Sequence, residues 1–263
     1  MRFTKMHGLG NDYLYVYGEV PENIEELSIK LSERHFGAGS DGMIYICSSE
    51  VADFKMRIFN ADGSEAKMCG NGILCVGKYV YDKGYTDKTN LDIETLSGIK
   101  KLSLTVSNGK VKSVSVNMGK AEVSEEINLP VGLTDIMCTP VSMGNPHAVT
   151  FVKSIDEAPL YELGPQIEHH SDFPGGVNAE FVEVLDQSTL RMRVWERGSG
   201  VTMACGTGAC ASAAAAIHHG YCSFDSDISV ILDGGTLKIK IAPDYTVTMT
   251  GPAEFVYEGE TIE

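Results

Sequence analysis

FNADGSEAKMCGNG at residues 59–72 and VWERGSGVTMACGTG at residues 194–208 close on the same signature, a cysteine followed by Gly, a small polar residue and Gly. An offset of 136 residues, applied without gaps from Arg57 to Tyr85, lays Arg57, Cys69, Gly70, Gly72, Gly84 and Tyr85 on Arg193, Cys205, Gly206, Gly208, Gly220 and Tyr221. A weaker echo closes each half: VNMGKAEV at 116–123 reads like TMTGPAEFV at 248–256, with Gly119 on Gly251 and Glu122 on Glu254. The glycines alone could be turn punctuation. Turn duty does not explain a cysteine kept at the same offset. The chain reads as a doubled half in which each half presents one thiol.

Working outward, GNGILCVGKYVYDKG and GTGACASAAAAIHHG, the segments after the two cysteines, are apolar or small nearly all round. A helix without a polar face is buried. Each ends at a glycine, Gly84 or Gly220, placed as a left-handed C-terminal cap. Surface helices are expected over 23–35 and 157–169. Alternating and β-branched runs predict strands at 12–17, 43–47, 54–59, 102–106 and 110–118, and again at 147–152, 180–185, 190–195, 236–242 and 245–249. Asn108-Gly109 and Gly234-Gly235 sit where hairpin turns would, so most strands should pair antiparallel. The expected fold is α+β: two pseudo-symmetric lobes, each a curved, mostly antiparallel sheet wrapped round a central buried helix. The lobes are expected at 1–119 and 120–263, carrying Cys69 and Cys205.

At 263 residues the chain can bury a substantial core. Lys and Arg total 21 against 36 Asp and Glu, a net charge of -15, with no basic stripe, which argues against nucleic acid as a partner. The opening MRFTKMHGLGNDY has no apolar leader, and no stretch reaches the ~20 apolar residues of a membrane helix, so a cytoplasmic protein with no membrane partner is expected. Seven cysteines without a CxxC pair fit neither a disulfide framework nor a structural zinc site, and no metal is expected. The sequence leaves the oligomeric state open; a homodimer is compatible with it. Cys47, Cys75, Cys138, Cys210 and Cys222 lie outside the repeated glycine frame and read as core residues.

A cysteine just before a buried helix places its sulfur at the helix N-terminus, where unpaired N–H groups and the positive dipole end collect. A thiolate there is stabilised, which should lower the pKa, and a substrate carboxylate can dock on the same N–H groups. Two such ends suit a small anionic ligand. One thiolate taking an α-proton while the other thiol returns one from the far face is the chemistry of inversion at a carbon acidified only by its carboxylate. The fixed N–H groups would stabilise the charge that builds on that carboxylate. No pyridoxal lysine site or nucleotide fold is evident, and GLGND at 8–12 lacks the context of a dinucleotide loop.

KMHGLGND at 5–12, FNADGSE at 59–65, CGNG at 69–72, SMGNPH at 142–147, VNAEF at 177–181, ERGSG at 196–200 and ACGTGAC at 204–210 follow one another in the order of the diaminopimelate epimerase family, which the chain resembles over essentially its whole length. The resemblance implies a cofactor-independent isomerase that interconverts LL- and meso-diaminopimelate, small-molecule precursors of lysine and peptidoglycan, with Cys69 and Cys205 as the two bases. It implies that Asn60, Asn145, Asn178 and Arg197 hold the distal carboxylate, with Glu196 near the distal ammonium. Asn11 and the backbone N–H groups of Gly70, Asn71, Gly206 and Thr207 would serve the reacting end, with His147 and Glu196 tuning the thiols. It also implies that the last strand, about 252–263, crosses back to the first lobe. One departure stands out. Many members carry Gln after the aspartate of the GxDQ block, whereas this chain reads GSDGM, with Gly42. A proline racemase would share the two-base logic but has no second amino-acid end for Glu196 and Arg197 to hold. A thiol-disulfide oxidoreductase would need closely spaced cysteines.

Overall fold

A computed structural model of the chain describes residues 1–132 and 134–262. The chain divides into two compact units, the first comprising Met1–Val116 and the segment from Gly251 onward, the second Asn117–Thr250. The divide thus falls at 116/117, three residues before the expected 119/120. The C-terminal segment belongs to the first unit.

The first unit runs β1 (Arg2–Gly8), β2 (Asn11–Tyr17), α1 (Ile24–Ser32), β3 (Gly42–Cys47), β4 (Phe54–Asn60), β5 (Glu65–Ala66), α2 (Gly70–Asp82), β6 (Asn90–Thr95), β7 (Gly98–Ser107) and β8 (Lys110–Lys120), whose last residues pass into the second unit. The second continues with β9 (Glu122–Val123), β10 (Ile127–Val131), β11 (Thr134–Ser142), β12 (Pro146–Val152), α3 (Leu160–Glu168), β13 (Asn178–Asp186), β14 (Thr189–Glu196), β15 (Gly200–Val201), α4 (Gly206–His218), β16 (Asp227–Leu232), β17 (Gly235–Ile241) and β18 (Thr246–Gly251). Then β19 (Glu254–Glu260) pairs antiparallel with β1.

The pairing pattern recurs. In the first unit β2 runs parallel to β3 and β4 parallel to β6, with α1 and α2 in the two crossovers. In the second, β12 runs parallel to β13 and β14 parallel to β16, with α3 and α4 in the crossovers. Most other pairs are antiparallel hairpins, so the fold is α+β and dominated by mixed sheet. Leu9-Gly10 and Asn108-Gly109 close two-residue hairpins with all four residues at positive φ, the conformation that matches strand twist. The second glycine turn falls one residue earlier than expected, with Gly235 already paired to Leu232.

The two post-cysteine helices are the centres of the cores. In α2 every residue from Gly70 to Val80 is buried, and in α4 every residue from Gly206 to Ile217 except Thr207. Strands β11, β12, β13, β14, β16 and β17 all pack on α4, whose alanine-rich surface admits so many neighbours. Both helices end alike. The N–H of Tyr85 bonds to Val80 O and that of Gly84 to Tyr81 O; Tyr221 and Gly220 repeat this with Ala216 and Ile217. This is the Schellman arrangement, with Gly84 and Gly220 left-handed at φ 79° and 75°. Helices α1 and α3 are amphipathic and cover smaller clusters, around Leu14, Met43 and Phe59 and around Phe181, Ala179 and Leu129. Among the described residues no helix is long and apolar enough to cross a membrane.

Candidate active site

Cys69 and Cys205 are the N-caps of α2 and α4, both in extended backbone geometry. Each sulfur accepts a hydrogen bond from the N–H three residues on, Gly72 N at 3.3 Å and Gly208 N at 3.4 Å. The sulfur thereby takes the place usually filled by a Ser or Asp oxygen, at the positive end of the helix dipole.

Around Cys69 the first unit assembles Asn11, Gly70 and Asn71. The thiol donates to Asn11 Oδ1 at 3.3 Å, while Asn11 Nδ2 donates to Asp41 Oδ2 at 2.8 Å. Asp41 also accepts from the Asp12 N–H, and its other oxygen meets Arg34 at 3.0 Å. Burial raises the Asp41 carboxyl, which the bonds from Asp12 and Asn11 partly offset. Tyr13, on the same strand as Asn11, is driven well above the ordinary tyrosine value by burial and by its neighbours Cys69 and Asp41, and is a neutral phenol. Asn60 is tied in less directly: its amide bonds to Ser64 Oγ, and the next residue, Ala61, donates its N–H to Asp41 O. Gly42 pairs with Asn60, and a Cβ there would lie 2.2 Å from Phe59 O. Gly42 is therefore built into the backbone, and no side chain from 42 reaches the site.

Around Cys205 the second unit builds a chain of contacts. Thr207 Oγ1 lies 3.6 Å from the sulfur, Asn145 Nδ2 donates to Thr207 Oγ1 at 3.3 Å, and His147 Nε2 is 3.2 Å from Asn145 Oδ1. On its other side His147 Nδ1 stands 2.6 Å from Glu180 Oε1, both side chains wholly buried. Burial raises the Glu180 carboxyl, against the pull of His147. Asn178 and Arg197 form a second group: Asn178 Oδ1 accepts the Arg197 N–H at 3.0 Å and its Nδ2 donates to Pro146 O at 2.9 Å, while the exposed guanidinium rests on Gly175 O at 3.0 Å. Glu196 accepts from the Thr202 hydroxyl and is the strongest charged influence on Cys205. Burial, then the Glu196 carboxylate, pushes the Cys205 thiol well above its ordinary value. The lowering expected from the helix end alone is thus overridden there, since desolvation outweighs one cap bond.

Sequence reasoning missed Glu180 and Glu168. Glu180 interrupts the apolar run NAEFV, and the 136-residue offset sets it against Ile44, a mismatch visible in the sequence. Glu168, buried at the end of α3, accepts Trp195 Nε1 and the Gly198 N–H, each at 2.7 Å, and so fixes the turn that carries Glu196 and Arg197. Among the described residues no group of three or more His, Cys, Asp or Glu side chains is placed to hold a metal ion.

The family model for diaminopimelate epimerase matches residues 3–124 and 139–256. Diaminopimelate epimerase of Acetivibrio thermocellus is 53% identical over 277 residues, covering 99% of this chain and 98% of the relative. That of Methanococcus maripaludis is 51% identical, covering 99% of each chain. Among solved structures, a Bacillus anthracis phenazine biosynthesis protein has a TM-score of 0.80 at 17% identity, covering 100% of this chain and 99% of that one. A probable proline racemase from Agrobacterium radiobacter has a TM-score of 0.75 at 16% identity, covering 99% and 92%. These two likenesses concern the fold.

Proposed function

This chain belongs to the diaminopimelate epimerase family, and we propose that it inverts one α-carbon of diaminopimelate with Cys69 and Cys205 as its two proton-transfer groups. Its activity is that of the family, an isomerisation at carbon. The observation that carries the two-thiol reading is the repeated cap: in each unit a cysteine sulfur sits on the N-terminus of a buried helix and accepts the third N–H.

In the proposed step one sulfur, as thiolate, takes the α-proton of the LL or meso isomer. The electron pair left on carbon delocalises into the carboxylate, where the N–H groups of Gly70, Asn71, Gly206 and Thr207 and the amide of Asn11 stabilise it. The other sulfur, as thiol, gives its proton to the opposite face. Each turnover leaves the two protonation states exchanged and consumes no co-reactant. Asn60, Asn145, Asn178 and Arg197 would hold the distal carboxylate and Glu196 the distal ammonium, while His147 and Glu196 tune the thiols. Arg197 suits this because a guanidinium forks a carboxylate. On this reading the units are pseudo-symmetric lobes from a duplicated half, and the enzyme works in the cytoplasm.

The test is turnover of LL-diaminopimelate in deuterated water without added cofactor. At initial rate the product carries deuterium at the inverted centre while unreacted substrate stays protiated. Cys69→Ala and Cys205→Ala each abolish epimerisation, since either removes a proton-transfer group for both directions. Extensive return of the original hydrogen, or near-normal turnover by either variant, rules out the two-thiol mechanism.

A further inference from the structure

The second unit buries an acid where the first has an aliphatic side chain. Strand register fixes the equivalence: Ile44 stands opposite Ile58 in the β3–β4 pair, and Glu180 opposite Val194 in the β13–β14 pair. The helices give the same answer, because a Cβ on Gly72 would lie 2.7 Å from Ile44 Cδ1 and one on Gly208 2.7 Å from Glu180 Oε1. On the neighbouring strand Tyr15 faces Ile44 and Val149 faces Glu180, so Tyr13 and His147, each two residues earlier, also correspond. An isoleucine therefore satisfies this place in the fold. A wholly buried carboxyl whose Oε2 has no hydrogen-bond partner is costly to the fold and calls for another reason.

Both ring nitrogens of His147 face oxygens that accept, Glu180 Oε1 and Asn145 Oδ1. One hydrogen on Nε2 and a second between Nδ1 and Oε1 would satisfy both contacts and leave the pair neutral overall. With Nε2 so protonated the donors would run one way: His147 to Asn145 Oδ1, Asn145 Nδ2 to Thr207 Oγ1, and the remaining Thr207 hydroxyl hydrogen toward Cys205 Sγ, 3.6 Å away. At Cys69 the corresponding contact runs in reverse, with Asn11 Oδ1 accepting from the thiol.

We propose that Glu180 is a positioning residue for Cys205: by holding His147 with Nε2 protonated, it orients a one-way run of donors that ends on the sulfur and favours the thiolate there. The proposal rests on the reading of Cys205 as a proton-transfer group. Of the charged groups on strands packed about α4, Glu196 and Glu180 act most on Cys205, and as carboxylates both push the thiol up; the proton shared with His147 is what removes the opposition of Glu180 in this arrangement. Arg191 and Arg193 are paired with Asp233, Glu183 accepts the Ile155 N–H, and Glu122, Asp135, Asp186, Asp227, Lys238 and Lys240 are exposed.

The experiment reads the thiol without substrate, so it stands apart from any failure of the epimerase reading. Alkylation of Cys205 by iodoacetamide at one alkaline pH is followed by peptide mass spectrometry, with Cys69 of the same molecule as reference. Glu180→Ile, the residue of the first unit, is expected to slow Cys205 about tenfold and leave Cys69 unchanged, the effect of losing one hydrogen bond to a charged group. Glu180→Gln, which can still donate to Nδ1 and keep Nε2 protonated, is expected to restore the rate. Faster alkylation of Cys205 would mean either a bare carboxylate opposing the thiolate or a loosened fold, and overturns the proposal. An unchanged rate, or equal slowing of both thiols, does the same. Whether or not Glu180→Ile folds, 15N resonances of His147 in the native protein must show Nε2 protonated; a bare Nε2 reverses the chain and overturns the proposal.

Discussion

A single added carbon strikes the backbone at Gly42 and reaches the surroundings of a thiol at Gly208. A side chain at 42 meets Phe59 O at 2.2 Å, a backbone atom that cannot swing aside. Gly42→Gln is therefore expected to destabilise the protein by about 3 kcal/mol, seen as a lower urea midpoint, without improving turnover. Gly208→Ala drives its Cβ to 2.7 Å from Glu180 Oε1 and 3.2 Å from Cys205 Sγ, whereas Gly72→Ala meets the end of Ile44. Ile44 can turn its terminal methyl; Glu180 is pinned by His147. The expected outcome is a loss of kcat for Gly208→Ala at least about tenfold beyond that of Gly72→Ala, with similar unfolding midpoints. The capping sulfurs were legible at this scale, since the doubled CGxG frame names them. The pull of burial on Cys205 was not, because desolvation depends on what surrounds a residue and no motif records that.

Among the elements, the two central helices depend on their caps. Replacing Cys69 with Ser keeps an acceptor for Gly72 N, while Ala removes it, so Cys69→Ser should unfold within about 0.5 kcal/mol of the native protein and Cys69→Ala about 1 kcal/mol below it. Both should lack activity, which separates capping from proton transfer. Helix α3 contributes Glu168, whose carboxyl burial tends to raise but whose bonds from Trp195 and Gly198 lower below the ordinary glutamate value. A lowered folded-state pKa gives stability that is fully present above the unfolded value of about 4.3 and lost as pH falls through the folded one. Glu168→Gln should therefore flatten the acid-side fall in urea midpoint below about pH 5, and should raise KM because the Glu196-Arg197 turn loosens. The four helices were readable from periodicity and from the glycines that stop α2 and α4. The strands β1, β6, β10, β11 and β16 were not: NLDIET alternates in burial but shows only two apolar residues, RFTKMHG alternates only in part, and both are held by paired neighbours on both sides.

For the whole molecule the repeat was the legible fact. It marked the crossover helices, whose spans α1 and α3, and α2 and α4, all recur at the same offset of 136 residues. The boundary itself was harder to read, since β8 and β18 each run through it without a break in pattern. What the repeat does not predict is where the two copies diverge in chemistry, and Ile44 against Glu180 is such a place. The pairing of β19 with β1 carries a consequence of a different kind, in time rather than space. A ribosome makes β1 early and β19 only after all of the second unit, so the first unit, although begun earlier, waits with one edge of β1 open while the second has its whole sequence to fold with. The thiol synthesised first thus belongs to the unit completed last. Chains truncated after Thr250 and freed from the ribosome should accordingly protect the strands of Asn117–Thr250 from protease while Met1–Val116 is still cut, and extension through Glu260 should protect both.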